Sequence, residues 1–140
     1  MAGAKNVMPD TPGLFRVVLQ VGDLDKAVDF YSKLLGIEGR KLRGSRAYFD
    51  CGSVILAILD PTPGNIKPAP NVDDVYFSVN DLEKVHARAS ELGCLSTEEV
   101  HEQSAGDIVT RPWGERSFYV QDPWGNGLCF VDQTTIYTGR

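Results

Sequence analysis

The chain has 140 residues, 42% of them hydrophobic and 24% charged, and a formal net charge of −5. That length holds one domain, or two half-domains sharing one core, in an ordinary water-compatible globule. It excludes a basic nucleic-acid-binding protein, no apolar stretch approaches the ~18 residues of a membrane span, and residues 1–13 lack the charged-then-apolar pattern of a secretory signal. A cytoplasmic protein is expected, with neither nucleic acid nor membrane as a partner. Cys51, Cys94 and Cys129 are odd in number and widely spaced, which suits buried thiols in a reducing compartment better than a disulfide framework.

Residues 1–13, with Gly3, Pro9, Pro12 and Gly13, have the composition of a flexible leader. Phe15–Val21 is apolar and β-branched, and is expected to be a strand. Asp23 is a good N-cap for a helix through about Leu35, with Ala27, Phe30, Tyr31 and Leu34 as its inward face and Gly36 as its stop. A strand over Gly39–Arg43 and a hairpin of Ala47–Cys51 with Val54–Leu59 across Gly52-Ser53 would complete a β-α-β-β-β unit over residues 14–60. Pro61, Pro63, Pro68 and Pro70 then interrupt any regular element, so residues 61–72 are expected to link this module to the next.

The second module, over residues 73–133, repeats the first. Val21-Gly22-Asp23-Leu24-Asp25-Lys26-Ala27 returns 58 residues later as Val79-Asn80-Asp81-Leu82-Glu83-Lys84-Val85. Val75–Val79 is the expected strand, and Asn80 or Asp81 caps a helix through Leu92 that stops at Gly93. Ser117–Gln121 and Gly127–Asp132 are the clearest later strands. Gln103–Arg116 lacks apolar periodicity and contains Gly106, Pro112 and Gly114, so much of it is expected as loop over a concave sheet, a natural place for ligand contacts. Residues 134–140 are left as a tail. An internal repeat of this kind fixes the architecture: an α+β fold of two tandem β-α-β-β-β modules with curved mixed sheets and a site between them. Strand edges left unpaired in one chain favour a homodimer.

Charge is unevenly spread. Residues 1–60 carry eight Lys/Arg against seven Asp/Glu, whereas residues 61–140 carry six against twelve. An acidic second half attracts a cationic ligand, although surface acids also serve solubility alone. Arg40, Lys41, Arg43 and Arg46 in the expected hairpin fit a solvated edge better than a phosphate site.

The stretch Val21-Gly-Asp-Leu-Asp-Lys-Ala-Val-Asp-Phe-Tyr-Ser-Lys-Leu-Leu-Gly36, together with Asp122-Pro-Trp-Gly-Asn-Gly-Leu-Cys-Phe130 in a duplicated β-α-β-β-β frame, resembles the vicinal oxygen chelate superfamily of glyoxalases, extradiol dioxygenases and bleomycin-resistance proteins. The resemblance implies four inward-pointing ligand positions for one divalent metal, mostly His and Glu. Here they fall on Arg16, on Asp74, on Leu56 or Ala57, and on Cys129. Arg and Leu offer no lone pair to a cation, and Asp with Cys leaves too few ligands for a catalytic zinc. No metal or other cofactor is therefore expected. Arg16 and Asp74 could instead pair across the cavity.

A sharper resemblance is to the metal-free bleomycin-resistance proteins, carried by Pro112-Trp-Gly-Glu-Arg-Ser-Phe-Tyr119 and the Asp122 motif that follows. It implies a dimer that sequesters a cationic, flat-ringed compound in grooves at its interface. Trp113 would stack on the ligand and Glu115 would attract it; Arg16, Tyr48, Asp74, Phe118 and Cys129 complete the expected binding set. Trp124, in the tight Asp-Pro-Trp-Gly-Asn turn, is expected to pack on the surface instead. Tyr48, Phe118 and Tyr119 alternate between sheet faces, and the sequence leaves open which are core.

Three functions compete on this footing. The leading one is a metal-independent small-molecule binder, with no catalytic residues and an antibiotic among its candidate ligands. The second is a glyoxalase-type lyase, isomerase or dioxygenase with a rearranged metal site, which needs Asp74, Cys129 and one of His101, Glu102 or Glu115 to converge. The third is an assembly module whose cavity is vestigial; a cavity filled by the protein's own side chains would favour it.

Overall fold

The computed structural model describes residues 10–140, so the expected leader lies mostly outside the described residues. Strand β1 (Arg16–Gln20) leads into helix α1 (Leu24–Leu35), followed by β2 (Arg40–Leu42), β3 (Arg46–Cys51) and β4 (Val54–Leu59). The Asp23 side chain accepts from the Lys26 backbone N–H at 3.0 Å, and Gly36 closes the helix in the left-handed region at φ 70°. Both ends form as the sequence predicts, because an Asx cap and a glycine satisfy helix ends whatever the tertiary context. The inward face of α1 is Ala27, Phe30, Tyr31 and Leu34.

The second half repeats the order with β5 (Val75–Val79), α2 (Leu82–Glu91), β8 (Val109–Thr110), β9 (Arg116–Gln121) and β10 (Gly127–Asp132), the cap being Asp81. One addition breaks the symmetry. A short hairpin of β6 (Glu99–Val100) and β7 (Gln103–Ser104) is inserted after α2, its second strand opening the Gln103–Arg116 stretch expected largely as loop. The two main sheets have the same order, β1-β4-β3-β2 and β5-β10-β9-β8, with the first pair parallel and the others antiparallel. A parallel pair needs a crossover connection, and each module supplies it through its helix and middle strands.

Both sheets turn one face toward the helices. Leu19, Phe49, Leu56, Ile58, Phe118, Val120, Leu128 and Phe130 meet α1 and α2 there in one shared core. Each fully buried ring or branched chain contributes about 1.5–3 kcal/mol, against well under ~1 kcal/mol for an exposed pair such as Lys33–Asp29. Apolar burial therefore joins the modules, and polar contacts set their alignment. Asp122 accepts from the Tyr31 hydroxyl at 2.7 Å and from Asn126 Nδ2 at 2.8 Å, while Asn126 Nδ2 also donates to the Gln20 carbonyl at 2.8 Å. Burial pushes the Tyr31 phenol well above its ordinary pKa, with the Asp122 charge adding to the effect. The Asp122-Pro-Trp-Gly-Asn turn thus ties the last strands to the first helix, with Trp124 packed on the core rim. Strands β1 and β5 are each hydrogen-bonded on one side only, so both sheets keep an open edge.

Candidate functional site

The face of each sheet turned away from the helices is where a ligand can sit. Strand alternation puts Arg16 and Val18 of β1, Tyr48 of β3 and Ala57 of β4 on this face in the first module. In the second it puts Asp74 and Tyr76 at β5, Tyr119 of β9 and Cys129 of β10 there. The register settles which last-strand residue matches Cys129. Ala57 pairs with Val18 as Cys129 pairs with Tyr76, and Val18 and Tyr76 are one repeat apart, so the match is Ala57, with Leu56 on the helix side.

The four positions that the resemblance assigns to a metal are thus Arg16, Ala57, Asp74 and Cys129, and this donor set does not fit a divalent ion. Arg16 brings a positive charge and Ala57 no donor. Burial pushes the Cys129 thiol up to about 12, and Asp74 with Cys129 alone leaves too few ligands for a catalytic zinc. The rearranged site does not form either: among the described residues no group of three or more His, Cys, Asp and Glu side chains is placed to hold an ion.

Several expected site residues are placed differently from the sequence reading. Arg16 does not pair with Asp74; its guanidinium donates to the Tyr48 hydroxyl at 3.0 Å and lies 5.7 Å from the centre of that ring. Asp74 lines a small recess with Glu98 and Tyr119, where burial, Asp73 and Glu98 raise its pKa. Phe118 is in the shared core, stacked on Phe130 at 5.5 Å and edge-on to His86 at 4.8 Å, so it has no surface to offer a ligand. Cys129 is on the open face but fully covered by a second cluster of Ala105, Tyr119 and Val131, with Val100 from the inserted hairpin.

The cover is locked by a residue outside the expected set. Arg111 is 2% exposed. Its guanidinium donates to Ser117 Oγ at 3.0 Å and to the carbonyls of Ser104, Ala105, Asp107 and Ser117 at 2.9–3.3 Å. It also lies 5.2 Å from the centre of the Tyr119 ring. Among the described residues no carboxylate forms an ion pair with it. Backbone carbonyl dipoles and the ring face therefore balance the charge.

Beyond that cover the open face remains hollow. A cavity of about 480 Å³ is lined by Tyr76, Ser78, Val131, Trp113, Glu115 and Tyr137, among others. That volume falls in the range of small-molecule sites, ~300–1,000 Å³. The tight turn that carries Trp113 is closed by Gly114 N–H to the Arg111 carbonyl at 2.8 Å and Arg111 N–H to the Glu115 carbonyl at 2.7 Å, with Gly114 at φ 97°. It brings the Trp113 indole N–H within 2.7 Å of Glu115 Oε1. Glu115 Oε2 accepts the Tyr137 backbone N–H at 2.9 Å, which draws the C-terminal segment over the site. Of the sequence-predicted residues, the fold brings Trp113 and Glu115 together and leaves Arg16 and Tyr48 on the other sheet. Tyr76 could have been found as the same-face neighbour of Asp74, two residues on; Tyr137 had no local signal.

A tandem pair of β-α-β-β-β modules with open-faced mixed sheets defines the class. The sequence profile of the Glyoxalase/Bleomycin resistance protein/Dioxygenase superfamily matches residues 13–130, and the chain belongs to that superfamily. Solved structures agree in fold. A lactoylglutathione lyase from Agrobacterium tumefaciens is 25% identical, with a TM-score of 0.61 over 88% of this chain and 95% of its own. A glyoxalase/bleomycin resistance protein from Albidiferax ferrireducens T118 is 24% identical, with a TM-score of 0.67 over 85% and 98%. TioX from Micromonospora sp. ML1 is 21% identical, with a TM-score of 0.64 over 87% and 99%. No curated protein sequence matches the chain significantly. Among the described residues no helix is long and apolar enough to cross a membrane.

Proposed function

We propose that the protein is a metal-independent small-molecule binder that sequesters an aromatic or cationic compound, an antibiotic being one candidate, in cavities completed by a homodimer. The Trp113–Glu115 cavity carries this reading: it joins a stacking ring, a carboxylate and a volume suited to a drug-sized ligand. The donor set at the positions that the resemblance assigns to a metal supports it, since Arg16 and Ala57 cannot ligate. The dimer is supported by the open edges of β1 and β5. Beside them, Leu14, Phe15, Val18 and Tyr76 are exposed apolar side chains, and a second groove lined by Leu14, Val17, Val75 and Tyr76 shares the β5 rim with the cavity. A second copy laid along that rim would wall both.

The test is tryptophan-fluorescence titration with metal-free bleomycin, with and without EDTA. Saturable quenching at a Kd of about 1 μM or tighter, near one ligand per subunit and indifferent to EDTA, is the expected result. A flat titration removes bleomycin as the ligand class. Quenching abolished by EDTA removes metal independence. The covered face of the second sheet favours the assembly reading instead, and a dimer by light scattering that binds no compound would support that alternative.

A further inference from the structure

Residues 134–140, left by the sequence as a tail, are held very unequally along their length. The first part is fastened. Asp132 caps a single 3-10 turn (Gln133–Thr135), its carboxylate accepting the Thr134 backbone N–H at 2.9 Å and the Thr134 hydroxyl at 2.8 Å. Thr135 Oγ donates to the Asp132 carbonyl at 2.8 Å and accepts the Arg116 N–H at 3.0 Å, which pins the turn to the start of β9. From Ile136 onward the hold changes. Among the described residues one hydrogen bond ties this stretch to the rest, Tyr137 N–H to Glu115 Oε2 at 2.9 Å. Ile136 and Tyr137 line the cavity yet are 46% and 55% exposed, so apolar burial adds little to that bond.

We propose that residues 136–140 are a hinged strap that closes the Trp113–Glu115 cavity, with Thr135 as the hinge and the bond from Tyr137 N–H to Glu115 as the latch. The proposal rests on the binder reading for what enters the cavity, and not for the motion itself. Segments with few buried contacts open at far lower cost than a packed core. The catch stays in place when the strap leaves, because Glu115 is fixed separately. Its Oε1 accepts the Trp113 indole N–H at 2.7 Å, and its carbonyl accepts the Arg111 N–H at 2.7 Å. Opening therefore removes one wall, Ile136 and Tyr137, and frees Glu115 Oε2 as an acceptor without dismantling the rest. Closed, the strap holds that oxygen with the protein's own backbone, which makes the contact autoinhibitory.

Two variants separate the latch from the ring beside it. Ile136 is extended at φ −60° and ψ 130°, a conformation that a following proline accepts. Tyr137→Pro deletes the ring and the latch N–H, whereas Tyr137→Ala deletes the ring alone. Both are made with Trp124→Phe, which leaves Trp113 as the sole tryptophan. Acrylamide should quench Trp113 about twofold or more strongly in the proline variant than in the alanine variant. Equal quenching overturns the latch. In the unaltered protein the Tyr137 amide, corrected for its intrinsic rate, should exchange with deuterium about tenfold or more faster than the Arg116 amide held by Thr135. Equal protection overturns the hinge, and this comparison decides alone should the variants fail to fold. Bleomycin titration separates the strap from the binder reading. A flat titration beside unequal quenching removes that ligand and keeps the strap; bleomycin binding beside equal quenching does the reverse.

Discussion

The two modules place equivalent tyrosines on their open faces, Tyr48 opposite Ala57 and Tyr119 opposite Cys129, and each tyrosine lies beside an arginine. In the first module that arginine is Arg16, from the edge strand, and the pair remains in contact with solvent. In the second it is Arg111, from the loop before β9, and both residues are buried beneath the inserted β6–β7 hairpin. The same ring–guanidinium contact is thus a surface feature in one half and the anchor of a folded cover in the other. The frame is the same in both halves; the inserted hairpin covers Cys129 in the second, and the Trp113–Glu115 hollow lies beyond that cover.

The comparison breaks most sharply at the two arginines. Arg111→Met should cost about 3–5 kcal/mol, because four carbonyls and Ser117 Oγ lose a buried charged donor. Arg16→Met should stay within about 0.5 kcal/mol, since its one side-chain hydrogen bond is exposed. Urea unfolding of both variants checks the pair, and equal losses would sink the assignment of Arg111 as anchor. The next effect concerns the tie between modules. Asp122→Ala should cost about 2–4 kcal/mol by orphaning the Tyr31 hydroxyl and the backbone N–H groups of Trp124 and Asn126. Tyr31→Phe should cost about 1–2 kcal/mol, as it leaves the Asp122 and Asn126 contact in place. The two losses should be non-additive in a double-mutant cycle.

The smallest effect is at Asp74, whose pKa is raised by burial, Asp73 and Glu98. A carboxyl that keeps its proton to higher pH when folded makes folding take up a proton between its unfolded and folded values. Stability therefore falls as pH rises through that window, beginning near the ordinary value of 3.8. Asp74→Asn should remove this decline and stabilise the protein slightly at pH 7, by less than about 1 kcal/mol after solvent screening. Melting curves at pH 3 and pH 7 check it; an Asn variant less stable at pH 7 would show that the charge is favourable where it lies.

How far the sequence leads depends on whether a feature is local. The helix caps at Asp23 and Asp81, the inward face of α1 and the repeated strand order follow from short-range chemistry and periodicity, and the chain carries them openly. The parity of β9 could not be read, because Ser117, Phe118, Tyr119 and Val120 are all buried. Once the hairpin covers the outer face, the alternation that separates inside from outside is lost. Phe118 consequently belongs to the core and Tyr119 to the cover, a distinction that exists only after the insertion folds. The duplicated α+β frame is legible in the sequence, which also sets Trp113 and Glu115 two residues apart beside an expected loop. Tertiary structure decided that Arg16 and Asp74 stay apart and that Arg111 is buried. It also decided that Tyr76 and Tyr137, 61 positions apart in the chain, line one cavity with Glu115. Such contacts arise where strand register and chain return bring distant segments together, and no local pattern encodes that meeting.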